Sequence, residues 1–187
     1  MHLVVGLTGP NASGKGEAAE YLRTLGFEVH SLSDVVRDEA RARGLGLERR
    51  TLVRIGNELR REGGAGVLAE KIVGRLAGRS VVDSIRNPAE VLVLRRLERF
   101  VLLGIRAPVS VRFERSLARG RAGDAATIEE FEAAERQENA SDPVAQRLQA
   151  TFDLADHVVE NGGSLADLHA RLAEIVGSES VSSGGSR

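Results

Sequence analysis

The segment Gly9-Pro10-Asn11-Ala12-Ser13-Gly14-Lys15-Gly16-Glu17 holds the residue types that a chain of phosphates needs. Two glycines let the main chain turn so that its amides converge on an anion. A helix N-terminus adds partial positive charge, and a lysine reaches the outer phosphates. With 21 glycines and two lysines in 187 residues, the spacing G-x-x-x-x-G-K arises by chance only about 0.02 times per chain. Of the 26 basic residues only Lys15 and Lys71 are lysines, so Lys15 stands where a compact ammonium suits better than a planar guanidinium. The serine or threonine that commonly follows this lysine and touches Mg²⁺ is replaced by Gly16, with Glu17 next. The cradle survives that change, and the metal is then expected to be held through water.

Ligands of open α/β sheets bind beyond the carboxyl ends of the strands. Two segments expected there read Ser31-Leu32-Ser33-Asp34-Val35-Val36-Arg37 and Asp83-Ser84-Ile85-Arg86-Asn87. Each offers an aspartate followed three residues later by an arginine. Asp83, closing an apolar run, fits the acidic partner of Mg²⁺ in phosphoryl transfer. Asp34 can orient an acceptor group or cap the helix that starts near Val35. Arg37 and Arg86 can clamp anionic oxygens bidentately. Further on, Arg115-Ser-Leu-Ala-Arg119-Gly-Arg121-Ala-Gly-Asp124 puts arginines around glycines, which suits a lid closing cations over phosphates or, more plainly, a basic helix C-terminus. The acidic stretch Glu129 to Glu138 reads as a solvated face, and His157 and His169 as structural or surface residues.

These groups need a scaffold. Leu3–Leu7, Phe27–Leu32, Ser80–Ile85, Phe100–Ile105 and Asp156–Glu160 read as strands. Between them lie helical stripes, among them Ala18/Leu22/Leu25, Leu52/Ile55/Leu59 and Leu68/Ile72/Leu76. Asn87-Pro-Ala-Glu90 and Thr127-Ile-Glu-Glu130 are capping boxes, and Ser164 caps a last helix. Strands alternating with helices give right-handed crossovers and a parallel sheet covered on both faces. Residues 1–176 are expected to form one domain with a lid at about 119–143, followed by a disordered Ser/Gly tail from 177 to 187.

Composition removes other classes. A net charge of -1 gives no footprint for nucleic acid. Without cysteine there are no disulfides, thiolate nucleophiles or sulfur-ligated zinc, and the four histidines show no metal spacing. Apolar runs fall short of a membrane span, and no basic leader precedes an apolar stretch, so a cytoplasmic location is expected.

The blocks GLTGPNASGKGEAAEYL, SLSDVVRDEA, GNELRREGGAGVLAEK, VVDSIRNPAEV, VRFERSLARGRAGD and ADHVVENGGSLADLH, in this order over about Leu3 to Leu172, resemble the P-loop nucleotide kinases. They are most similar to those related to deoxynucleoside monophosphate kinases and dephospho-CoA kinase, and to the kinase-like module joined to deoxycytidylate deaminases. The resemblance implies a three-layer sandwich with sheet order 2-3-1-4-5 and a transfer of the γ-phosphoryl of ATP, with Mg²⁺, to a small nucleotide acceptor. It places Gly9, Gly14 and Lys15 on the donor phosphates, Asp34 as the acceptor-orienting base, and Arg37 and Arg86 on the acceptor. Asp83 takes the Mg²⁺ role, Arg119 and Arg121 belong to the lid, and Asn161 and Gly162 lie by the adenine. A monomer or homodimer is implied. The acceptor stays open between a nucleoside or deoxynucleoside monophosphate and dephospho-CoA. A nucleotide-binding regulatory module with little turnover is the alternative that the missing hydroxyl at Gly16 keeps in view.

Overall fold

In the computed structural model, which describes residues 2–120, 125–138 and 147–181, the first apolar run forms β1 (Leu3–Thr8), buried along its whole length. It can be apolar on both sides because it is the middle strand of a sheet with helices on each face. The other strands are β2 (Glu28–Ser31), β3 (Arg79–Asp83), β4 (Phe100–Arg106) and β5 (His157–Glu160). All neighbours are parallel, in the order β2-β3-β1-β4-β5. The register aligns Ser31 with Asp83, so the exits of β2 and β3 are level.

Nine helices are described: α1 (Lys15–Thr24), α2 (Leu32–Ala42), α3 (Arg49–Gly63), α4 (Val67–Val73), α5 (Pro88–Leu94), α6 (Val109–Arg119), α7 (Ile128–Glu138), α8 (Leu148–Phe152) and α9 (Leu165–Val181). Side chains alternate across β1. Leu3, Val5 and Leu7 pack with Ala18 and Leu22 of α1 and Leu168 and Leu172 of α9. Val4 faces the opposite core, with Val36 of α2, Ile55 and Leu59 of α3, Leu68 and Ile72 of α4 and Val91 of α5. This is the three-layer P-loop NTPase sandwich with the expected strand order.

The expected caps form. Asn87 accepts from the Ala89 amide at 2.9 Å while Glu90 returns to the Asn87 amide at 3.0 Å. Thr127 and Glu130 cap α7, and Ser164 with Asp167 caps α9. One boundary differs. α9 does not stop where the serine-rich stretch begins but continues to Val181. Ser178 turns its hydroxyl back onto the Ile175 carbonyl at 2.8 Å, and Glu179 meets His157 of β5 at 3.3 Å. Docking on the sheet thus overrides a local composition that disfavours helix.

Candidate functional site

The loop from β1 to α1 is set by backbone geometry that only glycine tolerates at two points. Gly9 has φ 137° and Gly14 φ 103°. A Cβ at Gly9 would lie 2.0 Å from the Ile105 carbonyl oxygen, and one at Gly14 would lie 1.9 Å from Asn161 Nδ2. Ala12 also takes a left-handed conformation, φ 57°. The Ser13 amide donates to the Pro10 carbonyl at 3.3 Å, closing the turn. No side chain caps α1, whose N-cap is Gly14, so its first-turn amides are left to an anion.

Lys15 folds back over this turn. Its Nζ donates to the carbonyls of Gly9 and Pro10, both at 2.8 Å. Burial pushes the ammonium down to about 8; the Asp83 carboxylate opposes that shift, while the positive charges of Arg86, Arg49 and Arg112 reinforce it. An ammonium held by two neutral carbonyls in a cationic neighbourhood is a group short of negative charge. A polyphosphate supplies it.

The loop opens on a cavity of about 1270 Å³. Asn11, Ala12, Gly14, Lys15, Gly16 and Glu17 form one side, and Arg37, Arg49, Arg86 and the pair Arg115 and Arg119 converge on it from four other segments. Asp83 joins them from the end of β3, where it lies level with Ser31. Its Oδ2 accepts from Ser84 Oγ at 3.3 Å, and its Oδ1 is buried without a hydrogen-bond partner among the described residues. Ser84, with φ 67°, continues a string of hydroxyls: it accepts from Ser31 at 3.3 Å, and Ser31 contacts Ser33 at 2.8 Å. Gly16 offers no hydroxyl, and no cluster of three His, Asp or Glu able to hold a metal occurs among the described residues. The orphaned Asp83 oxygen is a hard acceptor that would hold a hydrated Mg²⁺ through its water shell.

Several expected residues stand elsewhere. Asp34 does not line the cavity. α2 begins one residue after Ser31, whose hydroxyl accepts from the Ser33 amide, so Ser31 and not Asp34 is the N-cap. Ser33 and Arg37, one turn apart, then face the cavity, while Asp34 turns outward, 62 % exposed, and pairs with Arg37 at 2.5 Å. Asn161 and Gly162 are also absent from the cavity wall. Asn161 is buried and donates through Nδ2 to the Ser13 carbonyl at 2.8 Å, so it braces the loop from β5. Gly162 sits against Pro108. Gly9, Pro10 and Ser13 shape the loop from behind rather than line the cavity. Arg121 lies outside the described residues, as does part of the expected lid. Glu135 departs from the solvated acidic face: it pairs with Arg112 of α6.

Residues that sequence pattern did not single out are Arg49, Arg60 and Arg112, together with the serine string; Arg115, which opens the arginine and glycine segment, lines the cavity with Arg119. Each of these three was one of 24 arginines with no local mark; a helical stripe says which face is apolar, not which arginine the fold turns inward.

A five-stranded parallel sheet in this order, with a glycine loop and lysine at the first strand's exit, defines the P-loop NTPase fold. Residues 5–138 match the family model described as AAA domain. A UPF0200 protein of Hyperthermus butylicus is 33 % identical over 178 residues, covering 93 % of both chains. A UPF0200/UPF0201 protein of Archaeoglobus fulgidus is 36 % identical over 181 residues, and the chain spans only 54 % of that relative's length. The chain belongs to the UPF0200 family and to the AAA domain family. Among solved structures it is similar to TT1252 from Thermus thermophilus, at 26 % identity and TM-score 0.61 over 95 % of this chain and 97 % of that one. Shikimate kinase from Acinetobacter baumannii, in complex with shikimate, shares the fold at 15 % identity and TM-score 0.60, over 97 % of this chain and 96 % of that one.

Proposed function

We propose that the protein is an ATP-dependent phosphotransferase whose acceptor is a small phosphorylated molecule, a nucleoside or deoxynucleoside monophosphate. The observation that carries this is the sharing of one cavity by the phosphate loop with Lys15 and by a second set of cations, Arg37 and Arg86, at the exits of β2 and β3. One polyphosphate needs one cradle; a second cationic group in the same cavity is what an anionic acceptor needs.

In the transfer an acceptor phosphate oxygen forms a bond to the γ-phosphorus as the bond from that phosphorus to the β,γ-bridging oxygen breaks, and ADP leaves. Lys15 exchanges its two loop carbonyls for the β- and γ-phosphates. Arg86 and Arg37 hold the acceptor phosphate. As Arg37 turns to that phosphate it leaves Asp34, which stays on the outer face of α2. Arg119 brings positive charge from the end of α6. Mg²⁺, when bound, neutralises phosphate charge, and Asp83 is the residue that would hold it, through water. Glu17 and the missing hydroxyl at Gly16 favour a second reading, a nucleotide-binding module with little turnover. Dephospho-CoA is the other acceptor class to be tested.

ADP release is measured with ATP and Mg²⁺ against nucleoside monophosphates, deoxynucleoside monophosphates and dephospho-CoA. Release that depends on a monophosphate is expected, lost in Lys15→Ala and reduced by at least two orders of magnitude in Asp83→Asn with the fold intact. ATP binding without acceptor-dependent release would establish the regulatory reading, and release with dephospho-CoA alone would change the acceptor.

A further inference from the structure

Arg60, on α3, lines the same cavity and its side chain is only 3 % exposed. Its Nε and Nη2 donate to Glu90 Oε1 at 3.0 and 2.7 Å. The other Glu90 oxygen accepts the backbone amides of Arg86 at 2.8 Å and Asn87 at 3.0 Å. The carboxylate is therefore filled and the guanidinium charge is matched. One nitrogen is left over: Nη1 is buried without a hydrogen-bond partner among the described residues. A buried N–H group left unmet is costly, and its retention in a cavity wall points to an occupant.

The surroundings of Nη1 describe that occupant. Gly56 lies one helical turn before Arg60 and is buried. A Cβ there would stand 3.3 Å from Arg60 Nη1 and 3.5 Å from a Val36 methyl. Glycine weakens a helix interior relative to alanine; here it lets Arg60 Nη1 and Val36 approach the α3 backbone where that backbone lines the cavity. Leu52, Val53 and Leu68 complete an apolar wall. An anion brought here would add uncompensated charge, since Glu90 already balances Arg60. A neutral acceptor atom adds none.

We propose that the Arg60–Glu90 pair is the acceptor-specificity element of the site, with Arg60 Nη1 donating to the carbonyl oxygen or ring nitrogen of a nucleobase seated in the cavity beside Gly56. This rests on the kinase reading above and divides the acceptor in two: Arg37 and Arg86 take its phosphate, and Arg60 takes its base. Glu90 couples the two halves, because the same carboxylate that orients Arg60 fixes the Arg86 backbone.

The test compares the KM of the best nucleoside monophosphate with the inhibition constant of ribose 5-phosphate, which offers the phosphate without the base. Gly56→Ala sets a methyl against Arg60 Nη1 at the cavity wall while leaving Nε and Nη2 on Glu90, and it favours helix. Arg60→Lys keeps a charge opposite Glu90 but lacks the third nitrogen. In both, the monophosphate KM is expected to rise at least tenfold while the ribose 5-phosphate constant moves less than twofold. If Arg60→Lys does not fold, Gly56→Ala still decides. Equal losses for both ligands, or no change in either, overturn the proposal and leave the kinase reading standing. A wild-type protein that transfers to no monophosphate overturns the parent reading, and this one with it.

Discussion

Lys15 holds its proton less firmly in the ligand-free protein than an ordinary lysine, at about 8 against 10.5, because burial disfavours its charged form. The sign follows directly. Between those two values the unfolded chain carries a proton that the folded, ligand-free chain has released, so stability of the ligand-free fold rises as pH climbs from about 8 to 10.5. Phosphates restore the charge, so nucleotide binding takes up a proton. Calorimetry of ATP binding in buffers of different ionisation enthalpy is expected to show about half a proton taken up at pH 8, more at pH 9 and almost none at pH 6.5, with no uptake in Lys15→Met. A wild-type uptake of zero at pH 8.5 would contradict the assignment. At this scale the phosphate loop was legible because its chemistry is local: glycines, a lysine and a helix start within nine residues. Asp34 was not, because a carboxylate's direction depends on which residue caps the helix. Moving the N-cap from Asp34 to Ser31 rotates Ser33 and Arg37 inward and Asp34 outward.

Between elements, the loop is shaped as much by β5 as by β1. Asn161, at the end of β5, reaches 148 residues back along the chain to the Ser13 carbonyl and occupies the space where a side chain at Gly14 would be. Gly14→Ala therefore meets two penalties at once, a left-handed backbone and a collision with a buried amide. Its ATP dissociation constant is expected to rise by at least a hundredfold and its melting temperature to fall by several degrees, measured by calorimetry and thermal unfolding. An alanine variant that binds ATP like wild type would show that the loop does not need this brace. Strands and capping boxes were legible here, since short continuous apolar runs and the Asn87/Glu90 pattern are written within a few residues. The end of α9 was not. Ser178 and Glu179 read as tail, yet contacts with the helix's own preceding turn and with β5 hold them in helix.

Across the whole molecule, Arg112 ties α7 to the loop between β1 and α1. From α6 its Nε donates to the Ala107 carbonyl at 3.0 Å and its Nη1 to the Asn11 carbonyl in the loop at 3.3 Å. It also pairs with Glu135 of α7, and its guanidinium lies 5.5 Å from the Phe131 ring centre. These partners come from three segments, and the loop contact spans 101 residues of sequence, which is why neither Arg112 nor Glu135 was distinguishable from the other charges of their helices. A rigid, planar fork can serve all of them together; an ammonium is a single point and cannot. Arg112→Lys is therefore expected to loosen α7 specifically: its amides should exchange with solvent at least tenfold faster, while those of β1 and β4 keep their protection and the KM for ATP rises several-fold. Glu135→Gln removes the α7 carboxylate that pairs with Arg112 but keeps the Asn11 contact, so it should speed α7 exchange with a smaller effect on the ATP KM. Unchanged α7 protection in both variants would mean that α7 is held by Phe131 packing alone. Protection lost in Arg112→Lys but not in Glu135→Gln would place the coupling at the loop carbonyl instead of at the ion pair.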